Sequence, residues 1–167
     1  MVLPYNMGPK MIKKVISGGQ IGADAAGVIT AAKFGIPTGG CMPKGYKTID
    51  GTNPKFAKLY GLRESLSPSY AVRTEANVME ADGTIRFAIS FKSPGEKCTL
   101  KAIKKHDKLY IDVDILNPIS HEEVVDWIHE HNIEVLNVAG NGNRNIEQFV
   151  IDYLSIVFDL LQQEKIR

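Results

Sequence analysis

Apolar residues along the chain form short runs that alternate with longer alanine-rich or amphipathic segments, a pattern typical of α/β folds. The first run, residues 13–17, contains β-branched residues and ends in a glycine-rich turn. Residues 22–34 carry small and aliphatic side chains that favour a tightly packed helix, with Gly35 as its predicted C-cap. A second, shorter strand opens at residues 36–37. This stretch therefore predicts a βαβ unit, the usual scaffold of a parallel sheet.

The alternation of strands and helices continues to the end of the sequence. Helices are predicted at 69–81, 97–106, 120–131 and 145–163, and strands at 84–91, 109–113 and 135–138. Ser120 and Glu123 form a capping-box pattern at the start of the third of these helices. We expect a three-layer, doubly wound, Rossmann-like α/β fold with a mostly parallel five-stranded sheet and helices on both faces. A strand order of 2-1-3-4-5 would place the first strand beside the strand at 84–91.

Three segments need separate interpretation. Residues 1–11 are predicted to be a flexible arm, and residues 12–167 a single domain. Residues 39–70 are rich in glycine and proline and read as a structured loop that covers or lines a site. The helix at 145–163 is apolar on several sides, which indicates an interface in a homo-oligomer, a dimer or tetramer, or burial inside the monomer.

Composition narrows the classes of partner. The 167 residues carry a formal net charge of +1, and their lysine clusters lack interleaved aromatic residues. These features argue against binding to nucleic acid or to a membrane surface. Cys41 and Cys98 lie far apart, and no apolar stretch approaches the length of a membrane span or of a signal peptide. We expect a cytoplasmic protein that binds a small ligand.

The glycine-rich turn at residues 18–22 indicates what kind of ligand this is. Its amides precede a helix, where unpaired N–H groups and the helix dipole favour an oxyanion such as phosphate. A tight turn without a ligand would need the same glycines. Similar strand–turn–helix junctions occur at 93–99 and at 140–144. In the expected strand order the turns at 18–22 and 93–99 flank one crevice, which argues for an anionic ligand.

The cations expected to support that ligand lie in the long loop and on the helix that follows it. They are Lys44, Lys47, Arg63 and Arg73. Motifs for other chemistries are missing, because the sequence contains no GxSxG elbow, no Walker A lysine and no HExxH pair. The first turn also misses the GxGxxG register, and the four histidines have no metal-ligand spacing.

Four blocks of the sequence, in order, resemble the molybdenum carrier protein family. They are Ile16–Asp24; Gly35–Gly40 with Pro43–Gly45; Leu62–Glu64 with Tyr70, Arg73–Glu75, Asn77–Val78 and Asp82–Thr84; and Val135–Gly140. The resemblance covers roughly residues 13–160. It implies a Rossmann-like domain that binds and protects molybdenum cofactor (molybdopterin), a phosphorylated pterin, without turning it over.

That family is more distantly similar to the lysine decarboxylase-like phosphoribohydrolases, which release cytokinin bases from nucleotides. Their PGGxGTxxE motif corresponds here to residues 94–102, with Glu96 and Cys98 replacing two glycines and Ala102 at the position of the catalytic glutamate. The chain therefore lacks an evident acid–base group, unless Glu75 lies close to the crevice. Glu96 would also repel an anion at the second turn.

The first hypothesis is a carrier for a phosphorylated anionic cofactor, molybdenum cofactor or another phosphate-bearing ligand, with no catalytic residue. The alternatives are a phosphoribohydrolase-like enzyme that uses Arg73 and Glu75, and a nucleotide sensor that signals through its last helix. The candidate binding residues are Ser17, Gly18, Gly19, Gln20, Gly22, Asp24, Lys44, Arg63, Arg73, Glu75, Gly95, Thr99 and Gly140.

Overall fold

The structure, a computed structural model, describes residues 11–164 and shows an α/β fold with a parallel sheet between layers of helices. The predicted arm at 1–11 lies outside the described residues, except for Met11. The strands of the main sheet are β1 (Lys14–Ser17), β2 (Thr38–Met42), β5 (Leu62–Glu64), β6 (Gly83–Ala88), β7 (Leu109–Asp114) and β8 (Val135–Gly140), and a small hairpin is formed by β3 (Lys47–Thr48) and β4 (Gly51–Thr52). The helices are α1 (Ala23–Lys33), α2 (Pro54–Tyr60), α3 (Tyr70–Glu80), α4 (Pro94–Lys105), α5 (His121–Glu130) and α6 (Glu147–Glu164), with a 3₁₀ turn at Arg144–Ile146.

The expected fold class is confirmed, but the strand order differs from the prediction. The described strands are ordered β5-β2-β1-β8-β6-β7, so β8 lies between β1 and β6. Its residues Val135–Gly140 are buried at almost every position, which is typical of a central parallel strand. The sequence of β7 is more exposed, with Leu109 and Tyr110 each about 40% accessible, and β7 therefore forms an edge.

The main sheet has six strands in the described part of the chain, one more than expected. The additional strand, β5, comes from the segment 39–70 that was predicted to be a loop. That segment also holds the β3–β4 hairpin and α2. Its elements are only two to seven residues long, which explains why hydrophobic periodicity did not reveal them.

The main core lies on one face of the sheet, under α1, α5 and α6. On the other face α3 packs against α4 through Val78, Ala102 and Ile103. The capping box predicted at α5 is partly observed, because Ser120 Oγ accepts a hydrogen bond from the Glu123 amide at 3.2 Å. No helix within residues 11–164 is long and apolar enough to cross a membrane.

Burial inside the monomer accounts for most of the apolar surface of α6. Val150, Leu154, Val157 and Phe158 are inaccessible to solvent, and the helix packs on α1 and α5. Ile156 remains 46% exposed. The predicted homo-oligomer stays a prediction, but the apolar pattern of α6 does not require one.

A buried asparagine fixes α3 to the sheet. The Asn77 side chain accepts a hydrogen bond from the Cys41 amide at 2.8 Å and donates one to the Cys41 carbonyl oxygen at 3.0 Å. Asn77 is 1% exposed. Because Arg73 lies one helical turn before Asn77, this link also sets the position of Arg73 over the end of β1.

We predict that Asn77→Ala lowers the free energy of unfolding by about 2–4 kcal/mol, because two buried backbone groups lose their partners and a small cavity forms. Urea denaturation monitored by circular dichroism measures the change. Met79→Ala on the same helix is the control, because Met79 is 52% exposed and its loss is expected to cost no more than about 0.5 kcal/mol. Equal costs for the two variants would contradict the anchoring role of Asn77.

Candidate functional site

A cavity of about 660 Å³ lies outside the carboxyl ends of β1, β8 and β6. Ligands of open parallel sheets bind at this edge, and the volume is typical of a small-molecule site. The walls come from the segments that follow these strands, from α3 and from the β3–β4 hairpin. The lining residues are Gln20, Asp24, Ile49, Tyr70, Arg73, Thr74, Ile89, Ser90, Ser93, Pro94, Gly95, Glu96, Cys98, Thr99, Ala139, Gly140, Asn141, Gly142 and Asn143.

The side chain of Asn141 connects the segments after β6 and β8. Its Oδ1 accepts a hydrogen bond from the Ile89 amide at 2.8 Å, and its Nδ2 donates to the Ser90 carbonyl oxygen at 3.1 Å. Nδ2 also donates to Glu96 Oε2 at 3.0 Å. Since Asn141 is 9% exposed, these bonds fix the floor of the cavity.

The predicted glycine turn after β1 packs against the turn after β8. A Cβ on Gly22, which has φ of 96°, would lie 2.3 Å from the main-chain oxygen of Asn141. That same oxygen accepts a hydrogen bond from the Ala23 amide at 3.1 Å. Gly18 serves a different need, because a Cβ there would lie 1.8 Å from Nη1 of Arg73. The glycines thus allow close packing of protein groups as well as access for a ligand.

Arg73 and Asp24 form a largely buried ion pair in the cavity wall. Nη1 of Arg73 lies 3.2 Å from Oδ2 of Asp24, and the Gln20 amide donates to the same oxygen at 3.3 Å. Burial raises the pKa of Asp24 to about 6, although the Arg73 charge and the Gln20 hydrogen bond oppose this shift and the Glu96 charge adds to it. Nε of Arg73 is buried and has no hydrogen-bond partner in residues 11–164.

Glu96 occupies the first turn of α4. Its Oε2 accepts hydrogen bonds from Ser93 Oγ and Asn141 Nδ2, both at 3.0 Å. The residue as a whole is only 3% exposed. Asp24 lies in the first turn of α1, and Glu147 at the start of α6 accepts a hydrogen bond from the Gly22 amide at 3.0 Å. The protein's own carboxylates therefore take part of the anion-binding capacity that was expected of these helix starts.

The mouth of the cavity is apolar and partly formed by the hairpin. Ile49 is 74% exposed and Ile89 41% exposed, although both line the cavity. The hairpin is held by the Arg144–Asp50 ion pair and by a 2.9 Å hydrogen bond from Gln20 Nε2 to the Lys47 carbonyl oxygen. Together with Tyr70 these isoleucines offer apolar surface to a ligand.

Six of the predicted binding residues line the cavity: Gln20, Asp24, Arg73, Gly95, Thr99 and Gly140. Gly18 lies directly beneath Arg73. Three other predicted residues, at the end of β1 and in the turn that follows it, contact protein groups instead. Ser17 Oγ accepts from the Gly19 amide at 3.1 Å, Gly19 faces Met42 and Leu62, and Gly22 faces the turn after β8.

Lys44, Arg63 and Glu75 do not line the cavity, so the structure does not bring them together with the other predicted residues. The Lys44 amide bonds to the Ser67 carbonyl oxygen, and its side chain is exposed. Arg63 lies on the edge strand β5 and pairs with Glu80 at 3.1 Å. Glu75 lies between α3 and α4, where it contacts Lys105 at 2.8 Å and His106 at 2.7 Å.

The displaced Glu75 does not replace the glutamate missing at Ala102. Ala102 is 7% exposed and packs in the small core between α3 and α4. The acidic groups that do line the cavity are Asp24 and Glu96. Within residues 11–164 there is no group of three or more histidine, cysteine or acidic side chains that could hold a metal ion.

Sequence reasoning missed several lining residues. Asn141 had a usable signal, because it lies between two glycines directly after a buried strand. Tyr70 lies three residues before Arg73 and Thr74 four residues after Tyr70, so the face that carries Arg73 predicts Tyr70, and Tyr70 in turn predicts Thr74. Ile49 had no signal, because it lies in a two-residue turn of a hairpin that was not predicted.

The raised pKa of Asp24 predicts a pH-dependent stability. An aspartate in the unfolded chain has a pKa of about 3.9. Between about pH 4 and pH 6 the folded state therefore holds a proton that the unfolded state has lost. Asp24 therefore lowers the free energy of unfolding as pH rises through this window, by at most about 3 kcal/mol.

We expect the native protein to lose stability relative to Asp24→Asn as pH rises from 4 to 7, because the variant has no carboxyl group to titrate at this position. Urea denaturation at several pH values measures both free energies of unfolding. Asp126→Asn is the control, because Asp126 is an exposed acid on α5. A pH profile of Asp24→Asn that is parallel to that of the native protein would contradict the shift.

Comparison with known proteins agrees with this architecture. The sequence profile of the circularly permutated YpsA SLOG family matches residues 15–158. The chain is also similar to the crystal structure of a putative molybdenum carrier protein from Syntrophus aciditrophicus SB, with 34% sequence identity and a TM-score of 0.78. The similarity covers 89% of this chain and 96% of that chain. No functionally curated protein matches the sequence significantly. The chain belongs to the circularly permutated YpsA SLOG family.

Proposed function

We propose that the protein binds and carries a phosphorylated heterocyclic cofactor in the cavity at the ends of β1, β8 and β6, with molybdenum cofactor as the first candidate. The observation that carries this proposal is the composition of the cavity wall. Arg73 supplies a guanidinium whose buried Nε has no partner among the described residues, and the mouth supplies exposed apolar surface. A ligand with an anionic group and a planar ring matches both features.

The family supports the choice of ligand. The similar structure from Syntrophus aciditrophicus is that of a putative molybdenum carrier protein, and the similarity extends over nearly the whole of both chains. The cavity of about 660 Å³ has room for a ligand of mononucleotide size. In the turn after β8, the amides of Gly142 and Asn143 donate to no residue between 11 and 164, so they are available for hydrogen bonds to phosphate oxygens.

The residues present fit the organic part of such a cofactor better than its metal. No cluster of metal-ligating side chains occurs in residues 11–164, and the thiol of Cys98 is the one soft group on the described cavity wall. Arg73 and the main-chain amides would hold the phosphate, and Tyr70, Ile49 and Ile89 would contact the ring. The chemistry that the bound cofactor supplies, oxo and redox chemistry at molybdenum, belongs to enzymes that receive it.

A hydrolytic function is the second candidate, and one observation favours it. Burial raises the pKa of Asp24 to about 6, which suits a group that exchanges protons near neutral pH. Two observations argue against hydrolysis. Ala102 stands where the phosphoribohydrolases have their catalytic glutamate, and Glu75 lies outside the cavity. The sensor hypothesis depended on α6 as an exposed interface, and α6 is largely buried in the monomer.

We predict that guanosine monophosphate and molybdenum cofactor released anaerobically from a molybdenum enzyme both raise the melting temperature of the protein. Arg73→Met is expected to weaken binding by about 10- to 100-fold, because a charge-assisted hydrogen bond is lost. Calorimetry measures the affinity for the nucleotide. Chromatographic co-elution with the oxidised, fluorescent pterin detects the cofactor.

Arg63→Met is the matched control, since Arg63 pairs with Glu80 outside the cavity. The double variant Arg73→Met with Asp24→Asn removes both charges of the pair, so that no unpaired carboxylate is left to explain a loss of binding. Equal weakening by Arg63→Met and Arg73→Met would place the site elsewhere. Release of free guanine from the nucleotide would show the hydrolytic function instead.

A further inference from the structure

A buried carboxylate faces the cavity that the proposed ligand would occupy. Glu96 is only 3% exposed to solvent, and it lines the cavity. The position is unusual for the expected anion site, because a carboxylate at the start of α4 repels phosphate. Its presence indicates that this part of the cavity receives a different group of the ligand.

The environment of Glu96 fixes one carboxylate oxygen and leaves the other open. Oε2 accepts hydrogen bonds from Ser93 Oγ and Asn141 Nδ2. Oε1 receives no hydrogen bond from any residue between 11 and 164. With Oε2 held at two points, the carboxyl group has a fixed orientation, and Oε1 is pre-positioned as an acceptor.

No salt bridge compensates this carboxylate within the described part of the chain. The guanidinium of Arg86 donates to the main-chain oxygen of Glu96 at 3.0 Å, but it pairs with Asp112 at 2.7 Å. Arg73 is engaged with Asp24. Glu96 is only 3% exposed and Oε1 has no donor from residues 11–164, so a ligand that supplies N–H donors gains more here than one that supplies acceptors.

The neighbouring walls suit a planar ring. Pro94 and Ile89 line the cavity on the side of α4 and β6, and Tyr70 lines it from α3. The aromatic ring of Tyr70 is also within 5.7 Å of the Arg73 guanidinium and 4.7 Å of Lys47 Nζ. Flat apolar surfaces and a fixed acceptor together describe a subsite for a heterocycle with donors on one edge.

We propose that Glu96 selects ligands whose ring presents adjacent N–H and amino donors, the 2-amino-4-oxo edge that guanine and pterin share. Oε2 already accepts two hydrogen bonds, so Oε1, with two lone pairs, is the oxygen that can accept from the adjacent donors of this edge. The inference rests on the proposed function, because it concerns the heterocyclic end of the same ligand. It makes Glu96 the specificity-determining residue of the cavity and leaves the phosphate to Arg73 and the main-chain amides.

The test compares guanosine, inosine and adenosine monophosphates by calorimetry on the full chain. Inosine monophosphate lacks only the 2-amino group, and adenosine monophosphate has an acceptor at ring position 1. We expect the guanine nucleotide to bind about 10- to 100-fold more tightly than the other two. The Glu96→Gln variant presents an amide in place of the carboxylate, and we expect this preference to fall below about threefold.

Glu147→Gln is the matched control, because Glu147 is also a hydrogen-bonded carboxylate at a helix start but does not line the cavity. It is expected to keep the guanine preference, and circular dichroism checks that both variants fold. If Glu96→Gln weakens all three nucleotides equally, the carboxylate accepts from the ribose or serves only to hold Ser93 and Asn141, and the inference is wrong. If the native protein binds the three nucleotides equally, the inference also fails while the proposed function survives. Absence of binding for all nucleotides and for the pterin would overturn the proposed function itself.

Discussion

The arrangement of the cavity depends on one side chain, Asn141, which bonds to the backbone after β6 and to Glu96. In a parallel sheet the loops that follow neighbouring strands reach the same edge, but nothing in the sheet itself fixes their spacing. Asn141 supplies that spacing through a side chain that both donates and accepts. Its main-chain oxygen also receives the Ala23 amide, so that the start of α1 is held to the same point. The walls of the cavity are therefore set before a ligand enters, which lowers the cost of ordering on binding.

The charges around the cavity are not those of a simple phosphate site. One guanidinium, Arg73, and two buried carboxylates, Asp24 and Glu96, line the cavity, and Arg73 pairs with Asp24. Burial raises the pKa of Asp24, and the like charge of Glu96 on the same wall adds to this shift. Such a wall disfavours a ligand that is only an anion. It favours one that pairs an anionic group with hydrogen-bond donors, because each of the protein's charges then meets a complementary group.

Much of the fold could be predicted from the sequence, since strands, helices and caps depend on local periodicity. The βαβ unit at β1, α1 and β2 is an example. The strand order could not be predicted, because the turns after β6 and β8 have similar glycine-rich sequences and do not specify which strand lies beside β1. Of the predicted cations, Arg73 lies in the site because Asn77 anchors α3 to Cys41. Arg63 lies outside the site because β5 is the far edge strand of the sheet, and Glu75 because its side chain faces the end of α4, where it pairs with Lys105.

The strand order has a physical explanation in the permuted topology of the family. If β8 and α6 are counted before β1, the order β5-β2-β1-β8-β6-β7 becomes 4-3-2-1-5-6, which is doubly wound about one crossover point. The end of α6 lies close to the start of β1, because Phe158, Leu161 and Gln162 share a small cavity with residues 11–13. The connection from β8 through α6 to β1 would then be an ordinary helical crossover between adjacent parallel strands. The cavity lies at the crossover point of this reordered sheet, between β8 and β6, where doubly wound proteins bind their ligands. The start of β1 and the end of α6 lie away from the carboxyl ends of the strands, so the permuted order leaves the ligand-binding edge intact.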